Sequence, residues 1–391
     1  MSRAAAAPRT HTDLNAPTLA RLSRGWEGPV LLLLAVALLS FGLVAVYSAS
    51  AVKAQTDGLA DYHFVIRQAI GGSLGLLLLA VMAYLDYRVL RLFAWPMLLV
   101  VIGLLVFVLL PGTESVAPRV NGGRRWIDLG VIQGQPSELA KLVLIIWTAA
   151  VAVRKQDRLG SLSKGLLPFL LVWGTVATLI MMQPSMSAAA LVVLLAALVL
   201  FAGGARVAHF VVLGALMLPF LLTQVSGVGY RMRRILAFID PTHDPAGVSY
   251  QITQALIALG SGGLLGRGLG HGQQKFGFLP EPHNDFIFAM IGEEWGFVGM
   301  ALLVLGYVAI ALIGYRIARN APDLFGSLLA IGVTNLIVVQ ALLHMAVNSA
   351  LIPTTGVTLP FISYGGSSLI VCMAAVGILM NIARRSSREA E

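Results

Sequence analysis

Charge is what this chain has least of. Only 12% of its 391 residues are Asp, Glu, Lys or Arg, against roughly 25% in an ordinary soluble protein. That scarcity, with 58% hydrophobic residues and apolar runs repeated along the chain, excludes a water-soluble globule and leaves a polytopic membrane protein. Cysteine is nearly absent. Cys372 alone, inside an apolar run, excludes a disulfide framework and leaves a packing role. Metal spacings such as HExxH and CxxC are missing, as are heptads, internal repeats and low-complexity tracts. The glycine-rich stretch "GSGGLLGRGLGHGQQKFGF" fits neither GxxxxGK[ST] nor a strand followed by GxGxxG, which argues against a nucleotide site. It reads instead as backbone that bends close to a ligand or a neighbouring helix.

What the chain does have is ten apolar runs, at 28–49, 64–85, 92–111, 137–153, 166–183, 184–203, 207–226, 286–313, 325–349 and 366–383. Each is long enough to cross the hydrocarbon core as a helix. The first run is too long for a signal-peptide core, so "YSAS" is read as part of an uncleaved span. The expected fold is an all-α polytopic membrane protein of ten transmembrane helices, with a large extracytoplasmic loop, 227–285, between the seventh and eighth. Residues 1–25 read as a disordered cytoplasmic tail, 26–385 as a single membrane domain and 386–391 as a short cytoplasmic tail. The net charge of +9 resides mostly in short links between apolar runs, which points to topology and not to nucleic acid. With the N-terminus in the cytoplasm, that face collects most of the 27 Lys and Arg. An even number of spans returns the C-terminus to the same side. The outer loops 112–136 and 227–285 hold most of the remaining basic residues, and the second is too long for a passive connection.

The stretch "FLPEPHNDFIFAMIGEEWGF" (278–297) opens the eighth run. Pro280 and Pro282 force an extended entry, which makes Asn284 or Asp285 a candidate helix N-cap. A second reading makes Asp285 a general base, since it is a carboxylate at a helix N-terminus, partly shielded from water and beside an arginine-bearing loop. Glu293 and Glu294 follow inside the apolar run, where carboxylates are rare and usually functional. "YRMRRILAFIDP" places Arg231, Arg233 and Arg234 within about one helical turn. They read either as contacts to anionic headgroups or as a cradle for a phosphate-bearing ligand, because guanidinium forks match phosphate oxygens. Arg124 and Arg125 of "NGGRRWIDLG" are candidates to join that cradle from the other outer loop. "QPSELAKL" opens the fourth run with Glu138 and Lys141 on one helical face. Lys141, Lys275 and His283 complete the candidate substrate-binding set. In "DPTHDP", Asp240, His243 and Asp244 form a cation set or, more commonly, a turn. "PTTGVTLPFISYGGSSL" interrupts its helix at Pro353, Pro360, Gly365 and Gly366. Broken backbone at membrane depth must line protein or a cavity, which places this stretch on an outer cavity wall.

Together "GRRWIDLG", "QPSELAKL", "YRMRRILAFIDP", "YQITQALIALGSGGLLGRGLG", "FLPEPHNDFIFAMIGEEWGFVG" and "IPTTGVTLPFISYGGSSL" resemble the SEDS family (shape, elongation, division and sporulation). The resemblance runs from the first span to the last and is nearer the division-type FtsW branch than the elongation-type RodA branch. It implies a ten-helix peptidoglycan glycosyltransferase that polymerises lipid II, the undecaprenyl-pyrophosphate-linked disaccharide pentapeptide, on the outer face of the membrane during cell division. The family's essential loop aspartate falls on Asp285. Implied partners are a class B penicillin-binding protein and division-complex membrane proteins. Such chemistry needs a base for the acceptor hydroxyl and positive charge for the departing pyrophosphate. A divalent cation is a candidate to share that second task, with ligands the sequence does not fix. The family's usual "QPDxGTA" is here "QPSMSAA", so Ser185 stands where an acid would neutralise a buried lysine such as Lys141, whose candidate partners become Glu138, one turn away, and Asp285, if the outer loop folds over the fourth span. The family's usual "HTDF" is "HNDF". The rival function is a transporter that flips a lipid-linked precursor, with Glu138, Lys141, Glu293 and Glu294 along a polar path. Against it, no paired half-helices occur in corresponding halves of the sequence.

Overall fold

The computed structural model describes residues 25–120, 122–128, 130, 133–212, 214–215, 223, 229–239 and 247–388. The tail before Gly25, much of the expected seventh span, the "DPTHDP" stretch with Asp240, His243 and Asp244, and the side chain of Arg231 lie outside the described residues. The elements in chain order are α1 (Glu27–Thr56), α2 (His63–Tyr84), α3 (Tyr87–Leu92) and α4 (Ala94–Leu109), then four two-residue strands. After these come α5 (Pro136–Arg154), α6 (Leu167–Met182), α7 (Met186–Ala202), α8 (Gly229–Ile239), α9 (Val248–Ser261), α10 (Ile287–Arg319), α11 (Leu324–Asn348) and α12 (Gly366–Arg388).

Among the described residues, seven helices are long and apolar enough to cross a membrane: α1, α2, α5, α6 with the turn before it, α10, α11 and α12. The apolar α4 and α7, of 16 and 17 residues, are shorter, about 24–26 Å at 1.5 Å per residue. The expected third span, 92–111, is realised as α4, with Leu92 closing α3 and Phe93 between the two helices. The expected loop 227–285 is not all loop, because it contains α8 and α9. Both are amphipathic, and α9 packs along α10.

Burial separates an inner layer from an outer one. The most apolar stretches of α5, α12 and α11 are 83%, 78% and 67% buried, whereas that of α2 is 28% buried. Outward faces carry Leu77, Leu99 and Leu171, each more than 60% exposed. A water-facing surface would not tolerate so much apolar area, but hydrocarbon does. The inner α12 lies against α2 of the outer layer. Their approach is close enough that a Cβ at Gly377 would stand 2.4 Å from the Leu79 carbonyl oxygen, and one at Gly71 3.2 Å from Gly366 Cα. Small residues let helix backbones meet where no hydrophobic effect drives them together.

One end of the bundle is laced by polar contacts. Arg316 Nε pairs with Glu27 at 3.0 Å, Arg385 with Asp86 at 3.1 Å, and Arg88 with Asp323 at 3.1 Å. Gly25 lies beside Ser387, so the start of α1 and the end of α12 share this end. At the opposite end two small hairpins, Arg119–Val120 with Gly123–Arg124 and Ile127–Asp128 with Gln133–Gly134, form the loop before α5. Ser367 of α12 holds that loop by donating to the Gln133 carbonyl and accepting from the Gln135 N–H, both at 2.9 Å.

Candidate active site

Asp285 sits two residues before the start of α10. Pro280 and Pro282 remove two backbone donors, and Glu281 adopts a positive φ of 49°. The Glu281 carbonyl then accepts from the N–H groups of Asn284 and Asp285, at 3.2 and 3.3 Å. Neither Asn284 nor Asp285 caps the helix: Phe286 is the N-cap residue, and no side chain of its own closes that turn. The cap comes from α11. Asn348 Oδ1 accepts from the Ala289 N–H at 3.0 Å, while its Nδ2 donates to the Asp285 carbonyl at 3.0 Å. One amide thus satisfies an orphan donor of the first turn and fixes the backbone of Asp285, leaving the carboxylate for other work.

The stretch before α12 holds the other side of this loop. Ser363 Oγ donates to the Asn284 carbonyl at 2.8 Å, and the Tyr364 N–H donates to the His283 carbonyl at 3.0 Å. Gln68 of α2, fully buried, donates to the Ser363 carbonyl and accepts from the Gly365 N–H. Among the described residues no hydrogen bond reaches the Asp285 carboxylate. Burial, and then the negative charge of Glu281, push its pKa up from 3.8 to about 6, against the pull of Arg234. A carboxylate with that value is largely ionised at neutral pH and a better proton acceptor than an ordinary aspartate.

His283 does not supply positive charge. It is 2% exposed, with its ring 4.5 Å from that of Phe64 and 5.6 Å from that of Tyr364. Burial, and then the charge of Lys53, lower its pKa to about 4, so it packs as a neutral ring.

The other candidate cations fall into two groups. Arg234 donates to the Thr354 carbonyl at 3.0 Å and is close enough to act on Asp285, and Arg233 on the same helix is exposed. The remainder are engaged elsewhere. Lys141 pairs with Glu138 at 2.7 Å inside α5, and both are buried. That is the partner expected in the absence of an acid at Ser185. Lys275, buried, donates to Glu294 at 2.9 Å, to Ser48 of α1 at 3.2 Å and to the Gly270 carbonyl at 2.7 Å. Arg124 bonds Glu114 and the Leu110 carbonyl, and Arg125 donates to the carbonyls of Gln183 and Pro184. These two arginines therefore tie the hairpin loop to the ends of α4 and α6.

Glu293 and Glu294 belong to a break in α10. Gly296 adopts φ 65° and ψ −164°, which interrupts the helix. The glycine-rich stretch runs through the gap and takes over the orphaned backbone groups. The N–H groups of Arg267 and Gly268 donate to the carbonyls of Glu293 and Glu294, while those of Phe297 and Val298 donate to the carbonyls of Gly263 and Leu264, all within 2.9–3.1 Å. A Cβ at Gly266 would stand 2.2 Å from the Glu294 carbonyl oxygen. The two side chains clamp the following loop. Glu293 accepts from the N–H groups of Gln273 and Gln274 at 2.8 and 3.2 Å, and Glu294 accepts from Lys275 and Ser48. Among the described residues no three His, Cys, Asp or Glu side chains converge, so they offer no ready cage for a divalent cation.

Comparison with known proteins converges on one group. The family profile "Cell cycle protein", covering FtsW, RodA and SpoVE, matches residues 29–388. The chain belongs to this FtsW/RodA/SpoVE family. It is 43% identical over 356 residues to the "Probable peptidoglycan glycosyltransferase FtsW" of Geobacter sulfurreducens, covering 91% of this chain and 95% of that one. It is 41% identical over 359 residues to the stage V sporulation protein E of Bacillus subtilis, covering 91% and 97%. Its fold is similar to a chain of the structure described as "Structural coordination of polymerization and crosslinking by a peptidoglycan synthase complex", with a TM-score of 0.73, 29% identity and coverage of 93% and 98%. It is also similar to the rod shape determining protein RodA of Thermus thermophilus, with a TM-score of 0.66, 29% identity and coverage of 93% and 97%.

As a member of the FtsW/RodA/SpoVE family with several long apolar helices, the chain is a multi-pass membrane protein. Asn348, Ser363, Gln68 and Arg67 are site residues that sequence reasoning missed. Arg67 reaches the Tyr364 hydroxyl from α2. Each is a polar residue in or beside an apolar run, and that was the available signal. Asn348 and Gln68 are uncharged, however, and do not stand out on charge.

Proposed function

We propose that the chain is a peptidoglycan glycosyltransferase of cell division, polymerising lipid II into glycan strands at the outer face of the cytoplasmic membrane. The observation that carries this reading is Asp285: an uncapped carboxylate without a hydrogen bond from the described residues, raised to about 6 and held by its backbone at the mouth of α10. The names of the FtsW relatives support the activity.

In the reaction, Asp285 accepts the proton of the acceptor sugar's 4-hydroxyl as that oxygen bonds to the donor's anomeric carbon. The bond from that carbon to the pyrophosphate oxygen breaks, and undecaprenyl pyrophosphate leaves. Arg234, with Arg233 and Arg231 on the same helix, supplies positive charge for the leaving group. Lys141 and Lys275 hold the scaffold through their buried pairs. The outward placement of this site rests on ten spans with both termini in the cytoplasm. The polar end that joins Gly25 to Ser387 fits an even number of crossings. A class B penicillin-binding protein is the proposed partner, with division proteins around the pair. The "peptidoglycan synthase complex" of the structural relative supports that assembly.

The test is purified protein with its partner and lipid II in detergent. Glycan chains made by the wild-type chain and lost in Asp285→Asn are the expected result. Chains of normal length and amount from Asp285→Asn would overturn the assignment. The flippase reading draws no support from the intramembrane acids, since Glu138, Glu293 and Glu294 are each engaged by a cation or backbone donors.

A further inference from the structure

At the polar end of the bundle, where α1 begins and α10 finishes, a cavity of about 500 Å³ opens to the surface between Trp26, Leu312, Ile313, Tyr315, Arg316 and Arg319. It belongs to neither the Asp285 loop nor the glycine-rich stretch. Leu312 lies on the lipid-facing side of α10 at 67% exposure, so the floor of the cavity continues into the hydrocarbon surface. Its rim is different. Arg316 lies 5.4 Å from the Trp26 ring, and its hydrogen bond to Glu27 uses only Nε. Among the described residues, both terminal guanidinium nitrogens are therefore left for another acceptor. Arg319 has no ion pair or hydrogen bond among the described residues. An apolar floor, an indole and a phenol at the interface, and arginines at the mouth match a phospholipid's acyl chain, glycerol region and phosphate in order.

We propose that this cavity is a binding site for an anionic phospholipid, with the phosphate held by Arg316 and Arg319 and the upper acyl chain along Leu312. Charge decides against the nearest alternative occupant, the chain's own N-terminal tail. Residues 1–24 carry Arg3, Arg9, Arg21 and Arg24 against the single acid Asp13, and a basic segment is repelled by an arginine-rimmed cavity. A zwitterionic lipid would bring its own cation to the same arginines. The site would bind regardless of what the Asp285 loop catalyses.

The test uses the full chain reconstituted in vesicles of mixed phosphatidylglycerol and phosphatidylcholine, with bromine near the glycerol of one lipid or the other. Trp26 emission is isolated by subtracting Trp26→Phe, because the chain has six tryptophans. The expected result is stronger quenching of Trp26 when phosphatidylglycerol carries the bromine, corresponding to a relative association constant for phosphatidylglycerol raised by about five-fold per engaged arginine. Arg319→Lys keeps that preference, Arg319→Gln weakens it and Arg316→Gln with Arg319→Gln removes it. Arg319→Gln disturbs no described contact, so its result does not depend on refolding. Quenching that follows only the mole fraction of each lipid, a preference unchanged in Arg319→Gln, or no quenching by either lipid would each overturn the proposal.

Discussion

At the scale of single residues, the site depends on one carboxylate left free and one amide that is not. Asp285 acts as a base only when ionised, and its pKa stands at about 6. The rate should therefore fall on the acid side with a midpoint near pH 6 and not near 4. A pH profile of polymerisation at low lipid II concentration measures this, and a midpoint below 5 would remove Asp285 from the role of base. The same shift acts on stability. The folded chain holds the Asp285 proton more tightly than the unfolded chain does, so the contribution is full below pH 3.8 and is lost as pH rises through about 6. Asp285→Asn should thus melt no lower than wild type at neutral pH while polymerising nothing. Asn348→Ala makes the opposite separation. It orphans the Ala289 N–H and the Asp285 carbonyl, costing about 1–3 kcal/mol. Its polymerisation rate per folded molecule should fall too, because the base is no longer held. Unchanged turnover in the folded fraction would make Asn348 structural only.

Elements explain what two inner carboxylates are for. Lys275 and Glu294 have side chains 6% and 4% exposed, so removing one partner leaves a buried charge. Lys275→Met should destabilise by about 3–5 kcal/mol, and adding Glu294→Gln to it should recover a good part of that loss. Thermal melting of the two variants in detergent checks the pairing, and a double variant no better than the single would refute it. The α10 break makes a second demand. A Cβ at Gly296 would lie 2.3 Å from the Gly266 nitrogen, at a φ that side chains rarely adopt. Gly296→Ala should cost about 1–3 kcal/mol and displace the segment that carries Asp285, lowering activity more than melting temperature. At this scale the sequence was partly legible. The Glu138–Lys141 pair follows from helical spacing, and the glycine content of 260–278 points to backbone bending close to a neighbour. That stretch's exchange of hydrogen bonds with α10 was not legible, because "IGEEWGFVGM" carries no proline to mark a break and its two acids do not show which backbone groups are left open. Nor was the Lys275–Glu294 contact, which depends on how a loop folds back and not on spacing.

For the molecule as a whole, periodic apolar length carried most of the fold, and boundaries failed where length no longer discriminates. The expected third span shrinks to α4, Ala94–Leu109, and α8 and α9 hide in a stretch too polar to read as spans. Sidedness follows from the basic links and can be measured directly. Cys372 is fully buried and should stay silent to an impermeant thiol reagent, so single cysteines can report position without removing it. Ser115→Cys should label from outside intact cells and Ser161→Cys should not, since both are exposed in loops at opposite ends of the expected topology. Labelling of Ser161→Cys would invert the molecule. The break at Gly296 also bears on how the enzyme meets bilayers of different thickness. Every residue from Phe286 to Glu294 is enclosed by protein, whereas beyond the break Phe297, Val298, Leu302, Leu305, Val308 and Leu312 face outward. Lipid therefore grips only the part of α10 after Gly296, roughly 34 Å of helix, close to a single hydrocarbon thickness. A thinner or thicker membrane can tilt that part, while the segment ahead of it keeps Asp285 at a depth set by protein neighbours.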